Sequence, residues 1–509
     1  MLTALILLPA VAAVIVALLP RHRRELYLPV GIGLAIAPLG VAGYLFAAFE
    51  SGVAGFQFVE RAVWYEPWAI YWHLGVDGIS LPLVVMTALL VPIALAASTA
   101  INRRLKEFVA YTLLLEAGLI GVFLAQDLFL FFVFFEAILI PMYFIIGIWG
   151  GERRVYAAVK FFLYTAFGSA LMLAAIIGLA VLHQRQTGAP SFALTDLMQL
   201  SLQPSTERWL FAAFALAFAI KVPIFPLHTW LPDAHVEAPT AGSVLLAAVL
   251  LKLGTYGLLR FNLNLFPQAA VDFVPVLAVL AVIGIVYAAI VAIVQPDLKK
   301  LVAYSSVSHL GFIVLGTFAL TSAGLAGGVV QNINHGLTTG ALFLLVGMIY
   351  DRRHTKQIAD FGGLSQVMPI FAGIFLFTTF ASIGLPGLNG FVGEFLVLVG
   401  SFPSLPVHTI VAASGVVLAA IYLLWAYERT FTGVPNKPEN QKLVDLSARE
   451  VALLSPLVIL MLVLGLYPRI LLDKVQPSTE AVLDRIEAVT DYQVPEPGRL
   501  EHVLAGSEE

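Results

Sequence analysis

Apolar runs of roughly 20 residues, separated by short polar or Gly/Pro breaks, follow one another along the whole chain. A run of about 20 apolar residues is what a helix needs to cross a bilayer, and the breaks divide the sequence into about fourteen such spans. Numbered 1 to 14 in chain order, they are 2–20, 28–49, 79–101, 108–125, 127–149, 156–182, 207–225, 238–262, 272–295, 299–320, 323–350, 367–399, 407–433 and 450–468. The first run has no charged leader and no small-residue cleavage site, and Arg21, Arg23 and Arg24 follow it. It reads as a span and not as a signal peptide.

Two spans are interrupted. Span 7 runs into KVPIFPLHTWLP, with Pro223, Pro226 and Pro232; span 12 contains SIGLPGLNGFVGEF, with Gly384, Pro386, Gly387, Gly390 and Gly393. Proline removes a backbone donor and clashes with the preceding turn. At membrane depth such a break survives only where protein or water satisfies the freed carbonyls. Spans 7 and 12 are five apart, and an odd offset reverses orientation, so spans 4–8 and 9–13 are expected to form two inverted five-helix repeats around paired broken helices. The expected units are 1–107 (spans 1–3), 108–262 (first repeat), 263–433 (second repeat) and 434–509 (a loop, span 14 and a tail that begins as a short surface helix and ends in disorder).

Charge placement tests this partition. With the N-terminus outside, the loops and adjoining span ends on the cytoplasmic side carry 17 Lys/Arg and the opposite internal loops and span ends only Arg61, Arg185, Arg208 and Arg260. Such a bias sets orientation by the positive-inside rule. Composition agrees: 60% of residues are hydrophobic, 12% are charged and the mean hydropathy is +0.92. These values exclude an ordinary soluble or disordered protein and speak against an outer-membrane barrel, whose alternating strands give a weak hydropathy signal. The expected fold is an all-α polytopic membrane protein. A net charge of −4 is not a nucleic-acid binder's balance. The absence of cysteine removes disulfides, thiolate metal sites and Fe–S ligation by this chain.

Against this apolar background several ionisable residues stand out. A charge at mid-bilayer costs roughly 2.5–3.5 kcal/mol on insertion scales, yet Glu116 (span 4), Glu136 (span 5), Lys221 (span 7, at the break), Lys252 (span 8), His309 (span 10), His335 (span 11) and Glu394 (span 12, after the break) all lie inside spans. They read as a chain of protonatable groups through a helix bundle. A buried lysine holds its proton less firmly, and a nearby carboxylate restores the hold. The Glu136–Lys221 separation would then control proton release, and Lys252, the histidines and Glu394 would pass the proton sideways. The bland reading stays open for each: a static Glu136–Lys221 ion pair, packing histidines, and a Glu116 that meets a neighbouring subunit or stays protonated. Lys160, one turn inside span 6, is expected to snorkel. His228, Asp233, His235 and Glu237 have ligand-like spacing, but HTWLPDAHVEAP has two prolines and no regular helical face, so metal binding is not expected. No Walker A loop, Rossmann fingerprint, GxSxG elbow or HExxH pair occurs.

Three long motifs, LPDAHVEAPTAGSVLLAAVLLKLGTYGLLRF (231–261), QPDLKKLVAYSSVSHLGF (295–312) and LPGLNGFVGEF (385–395), resemble the antiporter-like membrane subunits of respiratory complex I, and among them the subunit M (mitochondrial subunit 4) family. The resemblance covers roughly residues 60–435. The 295–312 segment is shared with cation/proton antiporters and membrane-bound hydrogenases, whereas 231–261 and Glu394 are more particular to subunit M; the sister subunits L and N typically have lysine at the corresponding broken helix. The resemblance implies fourteen helices with two inverted repeats. It implies that Glu136 modulates a pump lysine at Lys221, that Lys252 connects, that His309 and His335 line the central axis, and that Glu394 exchanges protons toward the opposite face. It implies proton translocation as a subunit of NADH:quinone oxidoreductase, with no cofactor or metal on this chain and FMN, Fe–S clusters and quinone in others. The implied partners are the other complex I membrane subunits, with L and N as neighbours, and the lipid bilayer. The implied location is the bacterial plasma (inner) membrane, with both termini on the outer side. The alternative is a subunit of a cation/proton antiporter or of a hydrogenase-linked complex.

Overall fold

The structure, a computed structural model, describes residues 1–495. Among these, ten helices are long and apolar enough to cross a membrane: Arg24–Ala48, Leu105–Leu124, Leu128–Trp149, Arg154–Thr187, Thr240–Leu265, Pro267–Ile293, Leu298–Phe318, Ser322–Arg353, Pro406–Phe431 and Ala448–Leu466. They fall on expected spans 2, 4–6, 8–11, 13 and 14. The other expected spans fall on shorter or broken helices. Leu2–Leu18 and Ser80–Ala96 stand at spans 1 and 3, and Pro369–Ser382 and Asn389–Ser401 stand either side of the break in span 12. Span 7 is Pro204–Lys221, a turn segment, and then Trp230–Glu237.

Burial is graded across the bundle. Spans 8, 10 and 11 are buried over nearly their whole length, while spans 2 and 14 keep most of their surface open. The apolar outer helices have lipid as solvent, and the polar residues are drawn to the enclosed spans, the usual arrangement for ionisable groups at this depth. Span 8 is distorted: π-helical turns at Leu246–Leu250 and Leu258–Asn262 flank the α-helical turn Lys252–Gly257.

Three findings modify the expectations. A β-hairpin, Gln57–Tyr65 paired antiparallel with Ile70–Val76, occupies the stretch between spans 2 and 3 that the hydropathy pattern left blank. Its aromatic and β-branched residues suit a half-buried pleated surface. Residues 230–237 are helical, not a loop; Pro232 lies in the first turn, where an amide donor has no intrahelical partner to lose. The tail forms a 21-residue helix, Arg469–Val489, with one apolar face buried. The disorder expected at the end falls mostly on residues 496–509, which lie outside the described residues.

The two breaks are held by specific partners. Helix 204–221 ends at Lys221, and the peptide bonds preceding Pro223 and Pro226 are cis. The Trp230 indole donates to the Ile220 carbonyl at 2.8 Å, which satisfies an acceptor beside the break. In span 12, Gly384 and Gly387 adopt positive φ (76° and 91°), the region glycine enters without strain. The Asn334 amide, from span 11, donates to the Asn389 carbonyl at 2.6 Å where the helix restarts.

Candidate functional site

Span 5 begins under Asp127, whose carboxylate accepts from the Phe129 and Leu130 amides at 2.9 and 3.0 Å. Two turns on, Glu136 is half-buried, and among the described residues its Oε2 has no hydrogen-bond partner. Lys221 is the last helical residue before the break in span 7 and is 1% exposed. Its Nζ makes no hydrogen bond among the described residues and lies over the rings of Phe135 (5.1 Å) and Phe161 (5.5 Å). No hydrogen bond joins the Glu136 carboxylate to the Lys221 amine. The locked ion pair of the bland reading is therefore absent among the described residues, and the ammonium faces two aromatic rings in a cation–π arrangement.

Span 8 packs directly on the break. A Cβ at Gly254 would stand 2.7 Å from the Phe218 carbonyl oxygen and the Val222 nitrogen, so this approach requires glycine. Two residues earlier, Lys252 is fully buried. Its Nζ donates to the Ala247 carbonyl at 2.6 Å and contacts His335 Nδ1 at 2.6 Å. The first bond spans five residues, and Ala247 lies in the π-helical turn just before Lys252. With the lysine donating, His335 is the Nε2–H tautomer.

The row continues in spans 10 to 12. The His335 and His309 rings have centroids 5.9 Å apart, tilted by 52°. His309 Nδ1 is 2.6 Å from Glu394 Oε1, and both residues are buried. The Gln331 amide donates to the same carboxylate oxygen at 3.0 Å, and the Tyr422 hydroxyl lies 3.2 Å from His309 Nε2. The structure therefore brings Lys252, His335, His309 and Glu394 into one row, hydrogen-bonded at each end and with the two imidazoles side by side in the middle. Glu136 and Lys221 form a second pair beside it, and span 8 links the two at the break.

Other candidates fall outside the row. Glu116 is fully buried within this chain, and among the described residues neither carboxylate oxygen has a hydrogen-bond partner. Lys160 reaches Asp233 at 2.8 Å and so ties span 6 to helix 230–237. His235 stacks on Phe343 (4.5 Å, 9°), and among the described residues neither ring nitrogen has a hydrogen-bond partner. Among the described residues no group of three or more His, Cys, Asp or Glu is placed to hold a metal ion.

Sequence reasoning missed Gln331, Tyr422 and a buried ion pair, Arg260–Asp77 at 2.5 Å. Gln331 had a signal: it shares a helical face with His335 and Thr338. Tyr422 carried none, because a neutral tyrosine inside a span is ordinary.

The sequence matches the family described as "NADH:quinone oxidoreductase/Mrp antiporter, TM" over residues 125–421. NADH-quinone oxidoreductase subunit M of Rhodobacter capsulatus is 46% identical over 451 residues, covering 87% of this chain and 88% of that protein. NADH-ubiquinone oxidoreductase chain 4 of Marchantia polymorpha is 42% identical over 482 residues, covering 94% and 96%. A chain of the respiratory complex I of Thermus thermophilus, solved with bound NADH, superposes with a TM-score of 0.88 at 35% identity, over 96% of this chain and 100% of that one.

Proposed function

The chain belongs to the NADH-quinone oxidoreductase subunit M family, and on that premise we propose that its buried Glu/Lys/His residues carry protons across the membrane. The observation that supports this best is the row itself: two contacts of 2.6 Å, Lys252–His335 and His309–Glu394, bracket two imidazoles. Histidine suits such a relay because its ordinary pKa is near 6.5.

In this reading Glu136 sets how firmly Lys221 holds its proton. Its retreat favours release and its approach favours uptake. The released proton passes to Lys252 and then through His335 and His309 to Glu394, which exchanges it toward the opposite face. Among the described residues the Lys221 amine, His335 Nε2 and Gln331 Oε1 have no hydrogen-bond partner, and internal water bridges positions of this kind. Spans 4–8 and 9–13 act as inverted repeats within units 1–107, 108–262, 263–433 and 434–509. Each repeat places a broken helix, at 222–229 and at 383–388, on the path.

The driving force comes from elsewhere in the complex. FMN, Fe–S clusters and quinone sit on other subunits, subunits L and N are the neighbours, and both termini face outward from a bacterial inner membrane. The long relatives named for NADH–quinone oxidoreductases favour this over the antiporter or hydrogenase-linked alternative.

Replacement of Lys252 by methionine tests the proposal, because it keeps much of the volume and removes the titratable amine. The assembled complex should still oxidise NADH, while vesicle acidification per NADH falls severalfold. Unchanged acidification per NADH would remove Lys252 from the path.

A further inference from the structure

A cavity of about 610 Å³ opens between the ends of spans 1, 2 and 4, far from the buried row. Four cations line it: Arg21, Arg24, Arg104 and Lys106. The one acid in its wall, Glu107, is engaged by Arg104 at 3.3 Å. Two of the cations are steered by neutral acceptors and keep their full charge. Arg24 donates to the Asn102 carbonyl, and Lys106 donates to the Leu19 carbonyl at 2.7 Å. Arg21 makes no hydrogen bond or ion pair within the described residues. The site thus carries an uncompensated positive charge, and its natural complement is an anion.

The surroundings identify the anion. The cavity lies where the Lys/Arg-rich ends of the spans meet the bilayer. Tyr27 and Tyr111 stand in its wall, a residue type enriched at the membrane–water boundary. From Ala17 the lining continues into the open flank of span 1, where Val14, Ile15 and Leu18 are 57, 40 and 78% exposed. A charged head would therefore sit among the basic groups with an apolar tail along span 1. Basic pockets between membrane helices on the cytoplasmic side bind anionic headgroups in this way.

We infer that the cavity between spans 1, 2 and 4 is a binding site for the phosphate head of an anionic phospholipid, which braces the first two spans against the bundle. The test uses the assembled complex in nanodiscs with photoactivatable phosphatidylglycerol, and crosslinked peptides are mapped by mass spectrometry. Labelling should appear on peptides containing residues 17–27 and 104–111, and unlabelled phosphatidylglycerol should compete it. Phosphatidylcholine or millimolar inorganic phosphate should not. The variant Arg21→Ala/Arg24→Ala/Arg104→Ala should lower it at least tenfold while NADH oxidation stays unchanged. If that variant fails to assemble, Arg21→Ala alone removes no hydrogen bond or ion pair within the described residues and should weaken labelling about fivefold. The inference is overturned if the wild type is not labelled there, if photoactivatable phosphatidylcholine labels equally, if neither variant changes the signal, or if inorganic phosphate abolishes it.

Discussion

Lys252 shows how single residues divide between chemistry and packing. Its amine is fully buried, yet a carbonyl and an imidazole meet it at 2.6 Å, so it is placed and not merely tolerated. Tyr422 stands one step further out, on the far nitrogen of His309. Tyr422→Phe should cost about 1 kcal/mol of stability and leave assembly intact. It should change the pH profile of vesicle acidification without changing NADH oxidation by a detached electron acceptor; an unchanged profile would make the hydroxyl purely structural. Arg260 belongs to a different class. It pairs with Asp77 at 2.5 Å in the interior, and breaking such a pair strands a charge. Arg260→Ala should destabilise by about 3–5 kcal/mol, seen as a large drop in the yield of assembled complex. The charged members of the row were legible in the sequence because charge is costly in an apolar run. Tyr422 and Asp77 were not, since the first is neutral and the second lies next to a span end, where acids are common.

At the scale of elements, the breaks were readable and their supports were not. Pro223, Pro226 and Gly384 announce interrupted helices, but nothing local to Trp230 says that its indole will reach Ile220. Gly254 is similar: its necessity comes from span 7, not from span 8. Gly254→Val should push the two spans apart and cost about 1–3 kcal/mol by overpacking, read as a lower melting temperature of the purified complex. The hairpin escaped because hydropathy windows tuned to 20-residue helices pass over strands of nine and seven residues. It is tethered through Glu60, which meets the N-terminal ammonium and the Leu2 and Thr3 amides at 2.8 and 2.9 Å. Partial burial works against its charge, but the ammonium, the Thr3 hydroxyl and these amides outweigh it and hold the carboxyl down at about 2. A depressed carboxylate contributes stability above its unfolded pKa, near 4.3, and loses it as pH falls through the folded value. Hydrogen-exchange protection of residues 57–65 should thus hold from neutral pH to about 5 and fall toward pH 2. Glu60→Gln should lower it at neutral pH, and protection independent of pH in the wild type would show that the tether contributes nothing.

Over the whole molecule, the C-terminal helix connects parts of the chain that are distant in sequence. The Arg485 guanidinium donates to the Asn264 carbonyl at 2.8 Å and to the Met198 carbonyl, and the Ser478 hydroxyl accepts from the Gly78 amide at 3.0 Å. Periodicity suggested a short surface helix there, but its role as a strap depends on partners 221 and 400 residues away. Truncation after Pro468 should leave the buried row in place but lower the melting temperature of the complex and its yield; full stability of the truncated chain would contradict the strap. The orientation bias, the apolar runs and the buried charges were all local and were read directly. The pairing of spans into a row was long-range and needed the fold. The central claim is that buried titratable groups in this chain carry protons, and Lys221 tests it most directly, because among the described residues its amine makes no hydrogen bond whose loss would confuse the result. The measurement is the ratio of protons moved to NADH oxidised by assembled Lys221→Ala complex in proteoliposomes. The account predicts a ratio well below that of the wild type at equal assembly, and a wild-type ratio would contradict it.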